Sequence, residues 1–325
     1  MDPVPWRQAW QSALYAAGLG FYVARGGPSA HFTTATHGVT GAVLAQALLD
    51  LWHRERGVTP PALVVDVGAG RGELATHLAD VVDPVTAVLA VDVVARPDGL
   101  DPRVDWLESP GGAGLPSGLV GLSHALVIGH EWLDVVPCVV AEVDESGRLR
   151  EVLVDPASGG EQLGDGLPAA DLAWVGEHWP AAAPGDRVEV GRARDGAWAD
   201  LVARVESGLL VAVDYGHVRE ARPPRGTLTA YRSGTQTEPV PDGSCDITAH
   251  VAMDSLDADL VTTQRELLRS LGVRGATPDH ALAIRDPMAY LRALERSAAE
   301  AELIRPGGFG DFWWALKRVG APDIP

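Results

Sequence analysis

The sequence predicts an α/β fold built on a mostly parallel sheet, with an N-terminal helical segment and an inserted β-hairpin and loop subdomain. Three observations predict it. A short β-branched run, residues 61–65, stops at Asp66 and breaks into three alternating glycines, Gly68, Gly70 and Gly72, before helical patterning resumes over residues 74–82. A second apolar run, residues 85–91, ends in an acid, Asp92, twenty residues after Gly72. Two more buried-strand patterns, residues 125–128 and 208–213, again stop at polar clusters, which places those clusters at the carboxyl edge where open α/β sheets bind ligands.

Taken in order, residues 3–17 carry tryptophans and leucine at helical spacing, closed by Gly18 and Gly20. Residues 26–36 read as irregular; the run Phe32-Thr33-Thr34-Ala35 within them is either a loop that folds over a ligand or ordinary hydroxyl-rich turn chemistry. An amphipathic helix follows over residues 37–56, with Val39, Val43, Ala47, Leu48, Leu51 and Trp52 on one face. The sheet begins after Pro60-Pro61. Beyond the second strand come a short third strand at 104–107, a glycine-rich connection at 111–121, and a fourth strand that delivers His130, Glu131 and Asp134. Residues 139–143 and 149–154 flank Asp144-Glu145-Ser146-Gly147 and read as a hairpin that interrupts the α/β alternation. Residues 156–184, rich in Gly, Pro and Ala, read as irregular, and 197–206 as a helix; the strand at 208–213 runs into Asp214-Tyr215-Gly216. The tract 235–243 reads as a polar surface loop, two helices lie near 260–271 and 287–302, and 312–318 reads as the last strand. The expected organisation is an N-terminal helical cap and loop over 1–58, then a core over 59–325 with insertions near 138–190 and 217–260.

The glycine loop carries the first chemical signal. Glycines adopt φ > 0 and let a backbone approach a ligand closely, while free amides at the next helix start favour an anionic group. A dinucleotide site would want a third glycine at the position of Glu73, so the spacing reads instead as a nucleotide loop of the S-adenosylmethionine (SAM) type. Asp66, Gly68, Ala69, Gly70 and Gly72 are the loop's candidate cofactor contacts. Asp92 either accepts hydrogen bonds from ribose hydroxyls or starts the turn before Arg96-Pro97-Asp98-Gly99.

Composition narrows the classes. With 325 residues, 46% hydrophobic and 22% charged, the chain can bury one large core or a core plus an inserted subdomain. No run approaches the roughly 18 apolar residues of a spanning helix, and the N-terminus lacks a basic region followed by an apolar one, so a cytoplasmic protein without a membrane partner is expected. Cys138 and Cys245 lie far apart in sequence and indicate neither a disulfide framework nor a cysteine metal site; no metal is expected. A net charge of −18 with a single lysine, Lys317, argues against a nucleic-acid partner and suits a cationic one.

Five ordered motifs then carry a resemblance. Asp66-Val67-Gly68-Ala69-Gly70-Arg71-Gly72, Glu131-Trp132-Leu133-Asp134-Val135-Val136-Pro137, Asp214-Tyr215-Gly216, Gly226-Thr227-Leu228 with Tyr231, and Asp246-Ile247-Thr248-Ala249-His250-Val251 resemble the signature of MidA-like SAM-dependent methyltransferases. That family includes the mitochondrial factor that methylates an arginine on a respiratory complex I subunit during assembly. The resemblance implies a Rossmann-like SAM methyltransferase core, SAM as cofactor and protein arginine as acceptor. Two positions depart from the family pattern: His130 stands where Asn usually precedes the glutamate, and Ala30-His31 where a Gly-Asp pair usually stands.

The acceptor chemistry follows from the residues. A guanidinium is held by carboxylates that bind its fork. Glu131 and Asp134, three apart, would share a face on a helical turn and are the leading candidates for that task. Asp134 could instead cap a turn before Pro137, and Glu131 could pair with a surface arginine. His250 is a candidate general base or a packing histidine, and Tyr215 borders the substrate pocket or fills the sheet edge. Three readings stand side by side: methylation of a protein arginine, methylation of a small molecule under a lid of inserted segments, and a SAM-binding assembly factor with little turnover. The sequence also leaves a homodimer open.

Overall fold

Uninterrupted apolar runs become the interior of the central sheet in the computed structural model, which describes residues 2–23 and 35–321. Its strands are β1 (Leu63–Val67), β2 (Ala87–Asp92), β3 (Val104–Glu108), β4 (Ala125–His130), β5 (Gly208–Asp214), β6 (Leu260–Thr263) and β7 (Trp313–Val319). Their spatial order is β6-β7-β5-β4-β1-β2-β3. Only β7 runs against its neighbours, pairing antiparallel with both β5 and β6. β4 and β5 are buried at every residue, as strands covered on both faces must be. Connectivity reverses between β1 and β4, so their carboxyl ends splay apart into the crevice where doubly wound sheets take ligands.

Eight helices are described: α1 (Trp6–Tyr15), α2 (Gly38–Arg56), α3 (Glu73–Val81), α4 (Ala169–His178), α5 (Arg192–Ala203), α6 (Gln264–Ser270), α7 (His280–Arg285) and α8 (Pro287–Leu303). One face of the sheet is covered by α2, α3, α6 and α8, through residues such as Leu48, Leu78, Leu268 and Leu303. The other is covered by α5, with Trp198 and Leu201, and by the turn carrying Trp132 and Leu133.

The inserted segments form two further sheets. Val4–Pro5, Leu149–Val154, Val139–Val143 and Arg187–Val190 lie side by side, with Glu161–Gly166 added on Leu149–Val154. Thr229–Arg232, Thr235–Thr237 and Asp246–Thr248 make the second. α1 joins them: Trp6 and Trp10 are buried among both sheets, and Trp10 Nε1 donates to the Ile247 carbonyl at 2.8 Å.

Several expectations need correction. Residues 156–184 are not irregular. Glu161–Gly166 is a strand because Leu149–Val154 offers it a partner, and α4 forms because Trp174 packs so tightly that a Cβ on Gly191 would meet its ring at 2.5 Å. The segment beginning at Leu260 is first a strand; α6 starts only at Gln264, where Thr263 and Glu266 make a reciprocal capping box. The helix expected from Ala197 begins five residues earlier, at Arg192. Val39 is 44% exposed on the first turn of α2 and does not share the buried face. Val85 is 81% exposed, because a turn closed by the Thr86 amide on the Asp83 carbonyl delays β2 to Ala87. Of the irregular stretch at 26–36, residues 26–34 lie outside the described residues, including Phe32, Thr33 and Thr34.

Candidate active site

A cavity of about 460 Å³ opens over the carboxyl ends of β1, β2, β4 and β5. Its floor is the glycine loop. Gly68, Gly70 and Gly72 all lie in the left-handed region, with φ of 75°, 60° and 82°. A Cβ on Gly72 would stand 2.6 Å from Leu100, and one on Gly68 would stand 3.2 Å from Trp132. At Gly70 only Glu73 Oε2 lies near, at 3.8 Å, so that glycine serves the turn and leaves the backbone open toward the cavity. The Gly68 and Ala69 amides are tied to the Val91 carbonyl at 2.9 and 3.2 Å.

Two buried acids frame the loop. Asp66 closes against the α3 backbone, and its Oδ2 has no hydrogen-bond partner among the described residues; burial pushes it up to about 7, with Asp92 and Glu73 adding repulsion. Asp92 Oδ2 accepts the Gly70 amide at 2.8 Å, and Oδ1 accepts the Val94 amide at 3.3 Å. Burial outweighs these bonds and raises Asp92 to about 6. Both side chains line the cavity.

The acids after β4 come together, but not on a helix. Residues 131–136 form a turn, and Glu131 takes φ of 53°, a left-handed conformation that costs a non-glycine residue about 1 kcal/mol or more. The bond from its amide to the Val213 carbonyl, 2.8 Å, holds it there. Glu131 Oε1 is buried with no hydrogen-bond partner, although His130 Nδ1 lies 3.3 Å away within ion-pair distance. Burial lifts Glu131 to about 8, followed by repulsion from Asp134 and Asp246. Asp134 is 5% exposed; its Oδ2 accepts the Thr248 hydroxyl at 2.7 Å and its Oδ1 is unpartnered. Burial raises its pKa, opposed by the Thr248 bond and the Arg194 charge.

Tyr215 lines the cavity, its ring 4.1 Å from Phe312. His250 does not. It lies behind Tyr215, the rings stacked with centroids 5.9 Å apart, and its carbonyl accepts from Arg194. The structure therefore brings Glu131, Asp134, Tyr215, the glycine loop and Asp92 to one cavity and leaves His250 outside it.

Residues that the sequence did not single out complete the site. Tyr15 donates to the Val135 carbonyl at 3.1 Å, Tyr22 donates to Asp246 Oδ1 at 2.6 Å, and both rings border the cavity. Asp246 is raised to about 7 by burial. Asp214 sits behind the turn and accepts the Leu133 and Asp134 amides on one oxygen, at 2.9 and 3.2 Å. Asp246 and Asp214 head motifs visible in the sequence. Tyr15 and Tyr22 carry no local signal, since only the docking of α1 brings them here. Among the described lining residues, six carboxylates face one guanidinium, that of Arg71.

A sheet of this order, with its one antiparallel strand and a glycine loop and acid at the switch point, defines a Rossmann-like methyltransferase. Residues 43–271 match the family described as "Putative S-adenosyl-L-methionine-dependent methyltransferase", and the chain belongs to that family. The MidA-like resemblance of the motifs agrees with it. A Burkholderia thailandensis protein of the methyl-transferase type, solved with S-adenosyl-homocysteine bound, has the same fold: TM-score 0.74 and 23% identity over 99% of this chain and 90% of that one. A native structure from the same organism gives 0.72 and 24% over 99% and 89%. No curated protein matches the chain. The protein is a SAM-dependent methyltransferase, with SAM as its cofactor. The residues present fit that cofactor: an open glycine backbone stands beside buried carboxylates with unpartnered oxygens in one cavity. Among the described residues, no helix is long and apolar enough to cross a membrane.

Proposed function

We propose that the chain methylates a guanidinium nitrogen of an arginine side chain presented by a protein partner. The observation that carries this is the pair of buried, unpartnered carboxylate oxygens of Glu131 and Asp134 in the cavity that also holds the glycine loop. Buried carboxylates without partners are costly, and a forked cation satisfies two at once. In this reading Asp66, Gly68, Ala69, Gly70, Gly72 and Asp92 hold the cofactor, which supplies an electrophilic methyl group on a sulfonium. Glu131 and Asp134 grip the guanidinium, and Tyr215 forms a wall. Their task is orientation, since an in-line displacement needs the reacting atoms within roughly 3 to 3.5 Å. The excess of carboxylates draws a cation into the cavity.

A small-molecule acceptor is the second reading, favoured by the tyrosines Tyr15 and Tyr22 that narrow the cavity beside Asp246. Incubating host lysate with the protein and isotopically labelled SAM separates the two. Label on arginine in protein, found by mass spectrometry, supports the first; label confined to metabolites rejects it. Glu131→Gln keeps the size of the side chain and removes its charge, so turnover is expected to fall at least 100-fold, about 3 kcal/mol, while SAM affinity stays within a few fold. Full activity in that variant would sink the arginine mechanism.

A further inference from the structure

His130 occupies the last position of β4, with its side chain 3% exposed and its Nδ1 3.3 Å from Glu131 Oε1. Two atoms of this pair, His130 Nε2 and Glu131 Oε1, are buried without a hydrogen-bond partner among the described residues, and both side chains border the cavity. The backbone of both residues is held in place. His130 is paired with Val213 across the β4–β5 ladder, the Glu131 amide is bonded to the same residue, and the Phe312 ring stands 6.0 Å from the imidazole.

We propose that His130 and Glu131 form one proton-holding unit for methyl transfer, with His130 a positioning residue that acts through Glu131. This rests on the acceptor being a guanidinium nitrogen. Such a nitrogen must lose a proton to gain a methyl group. As the N–CH3 bond forms, the sulfonium S–CH3 bond breaks and its electron pair stays on sulfur as a neutral thioether. The nitrogen's proton goes to the Glu131 carboxylate, where the neutral His130 Nδ1, 3.3 Å from Oε1, accepts a hydrogen bond from the new carboxyl proton and holds it in place. The imidazole stays neutral, and Glu131 returns the proton to water when product leaves.

The surroundings favour holding a proton here. Glu131 is faced by Asp134 from its own turn, by Asp246 from the inserted sheet, by Asp214 and Tyr215 from the end of β5, and by Tyr231. All of these are acids, and none offers a compensating cation. Burial lifts Glu131 to about 8 and lowers His130 to about 4, so in the free protein at neutral pH the shared proton rests on Glu131.

The test is a titration of 15N-histidine-labelled protein by NMR from pH 6 to 9.5, with the His130 ring signals identified by their loss in His130→Asn. The expected result is an inflection near pH 8 in the His130 ring nitrogens that reports Glu131 and disappears in Glu131→Gln. A flat response, or an inflection that survives in Glu131→Gln, overturns the pair. Should that variant fail to fold, the wild-type protein titrated in low-millimolar guanidinium chloride decides: the inflection is expected to move down by a pH unit or more. An inflection that stays near 8 while the cavity tyrosines are also unmoved means that guanidinium does not enter the cavity, and sinks the guanidinium reading of the acceptor on which the pair's role rests. Guanidinium that shifts the cavity tyrosines without moving His130 sinks the pair and leaves that reading standing.

Discussion

Asp92 serves the glycine loop and also faces the cavity. The sequence offers it either to ribose hydroxyls or to the turn that follows, and the structure finds it holding the Gly70 amide while facing the cavity, the arrangement expected of a cofactor contact. Asp92→Ala should therefore weaken SAM about 10- to 100-fold, combining a lost charge-assisted hydrogen bond with a loosened loop. Calorimetric titration checks this, and a change under threefold would remove Asp92 from the cofactor site. Glu131 gives a second expectation at this scale. A carboxyl raised to about 8 is mostly protonated at neutral pH, so a cationic acceptor must displace its proton to bind. KM for an arginine-bearing acceptor should fall as pH rises toward 8 and level off above it, with no such dependence in Glu131→Gln. A KM that rises over the same range would mean that Glu131 meets its acceptor protonated.

Among the elements, α5 has a role that its helical pattern did not announce. It carries Arg194, 1% exposed, whose guanidinium donates to the carbonyls of Asp134 at 2.8 Å, Val136 at 3.2 Å and His250 at 2.8 Å. One side chain thus ties the turn after β4 to the segment after Asp246–Thr248, and the two acids it positions come from those pieces. Arg194→Met removes the donors and leaves three carbonyls in the interior, a loss on the order of 3 kcal/mol. Thermal unfolding should record a clear drop in Tm, with turnover falling at temperatures where the variant is still folded. An unchanged Tm would show that water or a neighbour replaces the guanidinium. The hairpin at 139–154 was legible from the two short runs that flank the Asp144-Glu145-Ser146-Gly147 turn, whereas Glu161–Gly166 was not. A strand of Glu, Gln, Gly and Asp with Leu163 as its one apolar residue has no apolar period of its own and exists because an edge was waiting for it.

Across the whole molecule, the buried acids make stability depend on pH in a direction opposite to that of most proteins. Asp66 and Asp246 near 7 and Glu131 near 8 are raised above their ordinary values, so between pH 6.5 and 8 the native state binds more protons than the unfolded chain. Stability then falls as pH rises through that window. Below it, His130 and His217, kept neutral by burial at about 4 and 3, oppose the trend, because the unfolded histidines gain protons first. The free protein should melt at a lower temperature at pH 8 than at pH 6.5, and Glu131→Gln should flatten the difference. A higher Tm at pH 8 would mean that these carboxylates are ionised in the fold.

The sequence by itself determined the parallel core, the glycine loop and the family, because these are local patterns: apolar runs long enough for strands, glycines where φ must be positive, acids at strand ends. It also located Glu131 and Asp134, which follow β4 within four residues. Only the tertiary structure decided which titratable groups share a space. Tyr15 and Tyr22 reach the cavity because two tryptophans of α1 bury themselves between the inserted sheets, far along the chain from the residues they meet. His250, prominent in its motif, is turned behind Tyr215, and His130, a departure from the family pattern, stands beside Glu131 instead. Proximity across more than a hundred residues follows from how elements pack, and no period or spacing along one chain encodes it.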